Sequence, residues 1–458
     1  APREVGLAAM GVVFVNLALL LTDAGLASAL VQRAELSEDD KTMAFWSSMI
    51  LGTALTAAGI GLSWPIASLY GEPRVQRLFA VLSLTYLFTA PGIVQGALLT
   101  RDLKFRSLEL RTIVATIASC AAAMALAVAG AGPWAIVGQH LTITFVSTAL
   151  LWRISSWRPR WRFSIDSLRR FAGFSSHVVG SRFFTWLARN VDNLLVGRFL
   201  GAAPLGAYTI AFNLMVTPVS RVAGPLTRVL YPAFSRLRDP QRISDVWLRA
   251  VQTVALVVVP AMLGVVVVAA DFVEVVFGKR WHAAAPVLQI LAPLGLVQAL
   301  QALNYGVLQS LEKTKELFRY TAVASVLTVA GFAGGLHWGI EGVATGYVLV
   351  SVVLEPAYLW ITTRVAGITP RDWLRSLSGV LQAGVAMLLV LLAARAGLMR
   401  TSLPTSARLA LLIAIGALVY VPLVAWRSPQ TISDIQGAIR GRRAGTHPFP
   451  AAPTDEAA

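Results

Sequence analysis

Charged side chains are scarce in this chain. Asp, Glu, Lys and Arg together make up only 14% of its 458 residues, against 56% hydrophobic residues and a mean hydropathy of +0.67. That excludes a soluble domain of ordinary composition and makes lipid the solvent the chain is built for. The single cysteine, Cys120, excludes an intrachain disulfide, a zinc site and a CxxC redox pair. It lies inside an apolar run and is expected as a small buried core residue. There are five histidines; His140 and His177 stand apart from any second metal ligand and are expected as hydrogen-bonded core residues. No DxD motif or convergent carboxylate pair is present to hold a metal or act as a base, so neither a metal centre nor a membrane-embedded glycosyltransferase is expected, and the chain is read as no enzyme. It opens Ala1-Pro2-Arg3-Glu4, with no initiator Met, basic n-region or signal cleavage site.

What is present is a series of uncharged runs long enough to cross roughly 30 Å of hydrocarbon as helix. Val5 to Thr22, Thr42 to Gly71, Leu78 to Thr100, Ala250 to Ala270, Tyr320 to Ile340, Ser376 to Ala394 and Leu409 to Trp426 contain no charge. Continuous apolar runs argue against a β-barrel, whose strands alternate. Thr112 to Trp152 is too long for one span, and Gly130-Ala131-Gly132-Pro133 should break it into two helices with a tight turn. With Phe171 to Leu200, Ala203 to Thr227, Pro286 to Ser310 and Gly342 to Thr363, thirteen spans are expected.

Assigning loops alternately gives one strongly basic side. Twenty-six of the Lys and Arg residues fall there, nine fall opposite and four lie within spans. By the positive-inside rule the basic loops and the C-terminus are cytoplasmic. Topology therefore accounts for most of the formal net charge of +16, and a nucleic-acid partner loses its support. The stretch from Arg153 to Arg170, interleaved with Trp152, Trp157 and Trp161, should lie at the cytoplasmic headgroups as an orientation signal or a lipid site. The expected organisation is an N-terminal bundle (1–152), a basic cytoplasmic linker (153–170), a C-terminal bundle (171–364), two additional helices (365–426) and a disordered cytoplasmic tail (427–458).

The halves resemble each other. GLAAMGVVFVNLALLLTDAGLASALVQR from Gly6 lies over GAYTIAFNLMVTPVSRVAGPLTRVLYPA from Gly206. GPWAIVG at Gly132 answers GIEGVATG at Gly339, and RDLKFRSLELR at Arg101 answers SLEKTKELFR at Ser310. An internal repeat of this kind belongs to transporters. A helix, Phe171 to Leu200, precedes Gly206, so the repeat leads us to expect a further helix before Gly6, giving fourteen spans. The fold class expected is an all-α polytopic membrane protein of two pseudo-repeated bundles around a central cavity.

Arg182, Arg189, Asp192 and Arg198 stand in one apolar helix, GSRFFTWLARNVDNLLVGRFLG. Charges at membrane depth are costly and usually face a cavity or a partner. At about 100° per residue Arg182, Thr185, Arg189 and Asn193 form one stripe, flanked by Asp192 and Asn190. Arg182, Arg189 and Asn193 are therefore candidate cavity residues, as is Arg221 in the repeat-equivalent helix. Asp192 either pairs with an arginine to fix packing or takes part in coupling, and Arg198 should snorkel to the interface. Asp23 lies ten residues before Arg33, about 15 Å along a helix, and has the same two readings. Asp271 and Glu274 are expected near the outer interface and solvated, and Glu355, before Pro356 deep in a helix, has no evident role.

RNVDNLLVGRFLGAAPLGAYTIAFNLMVTPVS, followed by RVLYPAFSRLRDP, resembles the polysaccharide biosynthesis flippases, the Wzx-type members of the MOP export superfamily. TDAGLASALVQR and FGKRWHAAAPVLQILAP fit the same family. The resemblance implies a MATE-like fold, alternating access and export of undecaprenyl-pyrophosphate-linked oligosaccharide across the bacterial inner membrane for exopolysaccharide or O-antigen synthesis. Expected partners are the lipid-linked oligosaccharide, membrane lipids, and a polymerase and glycosyltransferases of the same pathway. No cofactor is called for, and coupling to H+ or Na+ stays open. A cationic cavity suits pyrophosphate and acidic sugars, because guanidinium groups bind such oxygens in bidentate fashion. The alternative is a MATE-like drug or metabolite antiporter, for which an acidic, aromatic cavity would be needed to hold small cations.

Overall fold

The structure, a computed structural model, describes residues 1–23, 26–32, 36–160, 186, 190–236 and 240–429. Every regular element among them is helical. Without water to satisfy backbone groups, a chain in hydrocarbon closes its hydrogen bonds within each segment, and the helix does so. Eleven stretches among the described residues are long and apolar enough to cross a membrane. One of them, Lys315–Val365, holds two helices. The expected span from Phe171 to Leu200 and the tail beyond residue 429 lie mostly or wholly outside the described residues.

Two compact units, Ala1–Thr209 and Ile210–Ala458, divide the chain. In the first unit the helices run α1 (Pro2–Asp23), α2 (Leu26–Gln32), α3 (Glu38–Tyr70), α4 (Pro73–Leu82), α5 (Leu84–Thr89), α6 (Ile93–Arg101), α7 (Phe105–Val128) and α8 (Trp134–Ile154). A further helical segment follows at 190–199. The helix α9 (Ala202–Arg236) carries the unit boundary. The second unit continues with α10 (Pro240–Phe277), α11 (Ala284–Gln301), α12 (Asn304–Ser310), α13 (Thr314–Gly335), α14 (Gly339–Val365), α15 (Pro370–Leu398) and α16 (Thr405–Arg427).

Local chemistry sets many of these boundaries. The turn between α7 and α8 falls where the Gly-Pro cluster was expected, with Gly130 and Gly132 at φ 76° and 59°, a region that favours glycine. Capping boxes start α3, where Ser37 Oγ accepts from Asp40 N and Asp40 returns to Ser37 N, and α15, where Thr369 and Asp372 do the same. Other boundaries depart from the expectation of unbroken spans. Leu78 to Thr100 is divided at Ser83 and again by a 3-10 turn at Ala90–Gly92, because Pro91 offers no N–H to the helix ladder. Pro286 to Ser310 is likewise divided between α11 and α12. Each broken span immediately precedes one of the two matching loops, so the break repeats along with the sequence. The helix expected to run to Ile340 ends at Gly335, where Leu336–Trp338 forms a 3-10 turn.

Glycines then decide how closely α13 and α14 can approach. A Cβ on Gly335 would stand 2.2 Å from the carbonyl oxygen of Gly342, and one on Gly331 would stand 2.9 Å from that of Gly346. Each helix thus presents two glycines four apart to the other, and backbone meets backbone as in small-residue membrane interfaces.

Two sequence expectations are corrected. Cys120 is exposed on the protein surface, because α7 turns Ala115 and Ser119 inward and leaves Cys120 on another face. Asp271 is buried at 3% exposure rather than solvated. Arg408 of α16 grips its carboxylate in a bidentate ion pair, with Nε donating to Oδ2 at 2.9 Å and Nη2 to Oδ1. One helix turn away, Arg395 of α15 donates to the carbonyl oxygen of Val267. Two arginines thus fasten the last two helices to α10. Glu274 is partly exposed, with His282 at 4.0 Å.

The pair gives a stability prediction. Arg408→Gln would leave a buried carboxylate unpaired and should cost roughly 3 kcal/mol, the low end for a broken buried pair because Arg408 keeps some exposure. Thermal unfolding of the purified protein should show a lower Tm for this variant, and the double variant Asp271→Asn/Arg408→Gln should recover most of the loss. An unchanged Tm in Arg408→Gln would remove the pair from the contacts that stabilise the fold.

Candidate functional site

The intramembrane polar residues separate into a buried hub and a polar belt, one in each unit. The hub is built on the segment 190–199. Asp192 is 2% exposed; its Oδ2 accepts from the Tyr208 hydroxyl of α9 at 3.0 Å and its Oδ1 accepts from the backbone N–H of Asn193 at 2.8 Å. A carboxylate in a dry interior needs such donors, and Tyr208, itself fully buried, supplies one from a neighbouring helix. The Asn190 amide donates to the Trp186 carbonyl at 2.9 Å, and the Trp186 indole donates to the carbonyl of Val13 in α1 at 3.2 Å. Phe14 lies within edge or tilted ring contact of Trp186, Tyr70 and Phe79. Gly197 meets the Tyr70 ring so closely that a Cβ there would stand 2.7 Å from Cε1.

Of the cavity candidates, Arg182 and Arg189 lie outside the described residues. Asn193 is half-buried beside Asp192, and its Oδ1 is buried without a hydrogen-bond partner. Arg221 is exposed on α9, and among the described residues it has no ion-pair partner. Asp23 is the last residue of α1, and its side chain lies outside the described residues. Arg198 is exposed, with its guanidinium 5.8 Å from the Phe199 ring centroid. His177 is outside the described residues; His140 is half-buried on α8 and makes no side-chain hydrogen bond among them, contrary to expectation.

Sequence reasoning missed Tyr208, which is remote in sequence from Asp192 and carries no local signal. It also left Glu355 unexplained. Glu355 is half-buried on α14 before Pro356. Its backbone oxygen accepts from the Gln301 amide at 3.1 Å, and Gln301 Oε1 accepts from Asn304 Nδ2 at 3.0 Å. Gln298 donates to the Tyr347 hydroxyl at 2.8 Å, and Tyr320 stacks on Tyr358 at 4.4 Å. The belt ties α11, α12, α13 and α14 together where Pro356 sits inside α14 and α11 gives way to α12. Among the described residues no group of three His, Cys, Asp or Glu side chains could hold a metal ion.

The start of the basic linker is also structured. Trp152 donates to the Pro91 carbonyl at 2.8 Å, Trp157 to Glu38 Oε2 at 3.0 Å, and Trp46 to the Arg160 carbonyl at 3.0 Å. Phe45 meets all three indoles edge to face, and Arg158 lies over Trp152 at 5.3 Å. Residues 161–170 lie outside the described residues.

Comparison with known proteins agrees with this architecture. The chain is 28% identical to the lipopolysaccharide biosynthesis protein WzxC of Escherichia coli K12, over 82% of this chain and 77% of that one. It is 27% identical to the teichuronic acid biosynthesis protein TuaB of Bacillus subtilis 168, over 91% and 87%. Among solved structures it resembles a lipid II flippase MurJ in an inward closed conformation, with TM-score 0.77, 15% identity and 94% of each chain covered. It also resembles an inward-facing multidrug resistance MATE transporter of the MOP superfamily, with TM-score 0.64, 16% identity, and 80% of this chain and 91% of that one covered. The fold is therefore the one shared with these two structures. The family model described as polysaccharide biosynthesis protein matches residues 1–286, and the chain belongs to that family.

Proposed function

We propose that the chain is a flippase of the bacterial inner membrane that moves an undecaprenyl-pyrophosphate-linked oligosaccharide from the cytoplasmic to the outer leaflet by alternating access, for exopolysaccharide or O-antigen synthesis. The observation that carries this reading is membership of the polysaccharide biosynthesis family in a chain whose fold matches a lipid II flippase over nearly its whole length. Supporting it, the sequence sets arginines, Arg182, Arg189 and Arg221, within stretches read as membrane spans. Guanidinium groups in low dielectric suit a pyrophosphate and acidic sugars. A polymerase and glycosyltransferases of the same pathway would supply and consume the cargo. Movement against a gradient would be driven by coupling to an ion such as H+ or Na+. The MATE-like fold keeps drug or metabolite antiport as a second reading, which the net basic candidate lining disfavours for small cations.

Export assays test the proposal. Arg189→Ala should strongly reduce glycan export in a complementation strain while protein abundance stays near the parent's. Normal export by Arg189→Ala would defeat its cavity assignment, and restored drug tolerance without restored glycan would favour antiport. Asp192 provides a contrast, since its interactions point to packing. Tyr208→Phe removes a hydrogen bond to a buried carboxylate and should lower stability by about 2 kcal/mol with a smaller effect on export per folded molecule. A Tyr208→Phe protein with parental Tm but no export would instead place the Asp192–Tyr208 pair in the transport step.

Orientation is tested separately. The charge asymmetry puts residues 101–106 and 153–170 in the cytoplasm. In a Cys120→Ala background, single cysteines at Arg106 and Arg160 should react with membrane-impermeant maleimide only after the inner membrane is opened. Labelling in intact spheroplasts would invert the topology.

A further inference from the structure

A cavity of about 470 Å³ opens inside the first unit, between the ends of α1 and α2, the break from α5 to α6, and the facing sides of α7 and α8. Its existence follows from the broken span. The turn at Ala90–Gly92 displaces the helix, and Gly92 and Gly96 line the wall without side chains, with Thr148 and Leu151 packed close to Gly92, where a Cβ would stand 3.0 Å from Thr148 Oγ1.

One charge projects into this space. Arg111 is half-buried; its Nη2 donates to Thr112 Oγ1 at 3.3 Å, while its Nε is buried with no hydrogen-bond partner. Among the described residues no carboxylate lies within ion-pair distance of it. A guanidinium carries five N–H donors, and here most are unused in a place where an unmet charge is costly. The opposite wall offers hydroxyls of a particular kind. On α8, Thr144 and Thr148 spend their protons on the carbonyls of His140 and Phe88 and so present lone pairs only, while Thr112, beside Arg111 on α7, donates to the Leu108 carbonyl and accepts from Arg111. The Ser147 hydroxyl makes no hydrogen bond among the described residues. The cavity therefore offers cationic and hydroxyl donors together with hydroxyl acceptors. Thr89, whose hydroxyl donates to the Thr85 carbonyl, also lines the space; the rest of the lining, including Leu19, Ile93, Ile143 and Leu151, is apolar.

We infer that this cavity binds an anionic phospholipid with a hydroxylated headgroup. The phosphate accepts from Arg111 and Ser147, the headgroup hydroxyls donate to the threonine lone pairs, and the acyl chains cover the apolar walls. A free phosphate would satisfy Arg111 and leave those walls uncovered. Depth agrees, because Arg111 lies six residues into α7 from Phe105, about 9 Å at 1.5 Å per residue. Helical side chains lean toward the N-terminus, here the end beside Lys104 and Arg106, in a basic loop suited to an anionic leaflet. The inference uses none of the cavity candidates read from the sequence, and its test reads lipid binding whether or not glycan export is the protein's task.

The full chain, purified in neutral detergent, is titrated with phosphatidylglycerol, phosphatidylcholine or inorganic phosphate while Tm is followed. Phosphatidylglycerol should raise Tm progressively with concentration, by about 3 °C at a hundredfold excess over Kd; phosphatidylcholine and inorganic phosphate should not. Arg111→Gln should raise the half-saturating concentration about tenfold or more, as loss of a charge-assisted contact requires. Ser147→Leu, which fills the cavity and keeps the charge, should weaken binding similarly and carries the test alone if Arg111→Gln does not fold. No rise of Tm with phosphatidylglycerol in the parent, equal curves for the two lipids, or parental binding by a folded Arg111→Gln or Ser147→Leu would overturn the site. The same Tm rise from inorganic phosphate would overturn its assignment to lipid.

Discussion

In hydrocarbon no solvent takes over a hydrogen bond that the protein fails to make, and this structure is arranged around that constraint. Among the described residues it forbids strands and commits every regular segment to helix. It also explains why several of the polar groups buried within the units come in bonded sets. Asp192 has Tyr208 and a backbone amide, Asp271 has Arg408, and Gln301 bridges the Glu355 carbonyl and Asn304. Each set ties one helix to another, so groups that are costly to bury singly become the contacts that fix which helices are neighbours. Between lipid-facing helices the hydrophobic effect discriminates poorly, and polar pairs and glycine contacts can then select partners.

The same constraint gives the exceptions their meaning. Where α4 to α6 and α11 to α12 abandon a continuous helix, side chains take over. Trp152 reaches the Pro91 carbonyl, the Thr148 hydroxyl reaches that of Phe88, and Asn304 reaches Gln301. Breaks of this sort are tolerated only where protein surrounds them, and they leave irregular walls on which a cavity can form. The Arg111 pocket is lined by one of the two.

Much of this was legible in the residues. Uncharged runs and Gly130-Ala131-Gly132-Pro133 gave the helices and a turn, since hydrophobic length and glycine punctuation are local properties. The broken spans were less visible: Pro91 was in plain sight, but a proline in an apolar run can kink a helix or divide it, and tertiary contacts decide. Asp271 misled because Glu274 and the Lys279-Arg280 turn follow it along the chain, whereas its partner Arg408 is on another helix. Tyr208 and Arg111 were missed for related reasons. One is paired across helices, and the other sits at the edge of the uncharged run from Thr112, where an arginine is easily assigned to a loop. Sequence periodicity locates a polar face; only the packing says what that face meets.

The glycine contacts between α13 and α14 bear on how the protein is made. Lys315–Val365 leaves the ribosome as 51 residues of nearly continuous apolar chain, divided by a 3-10 turn and by Gly339 at φ 70°. With Gly331 and Gly335 already facing Gly346 and Gly342, the two helices can close on each other as soon as both have emerged, before the rest of the second unit has been synthesised. The pair would then enter the bilayer as one preassembled hairpin. A bulky side chain at Gly335 or Gly342 would act at that moment of biogenesis, separating the hairpin in the translocation channel rather than loosening a finished protein.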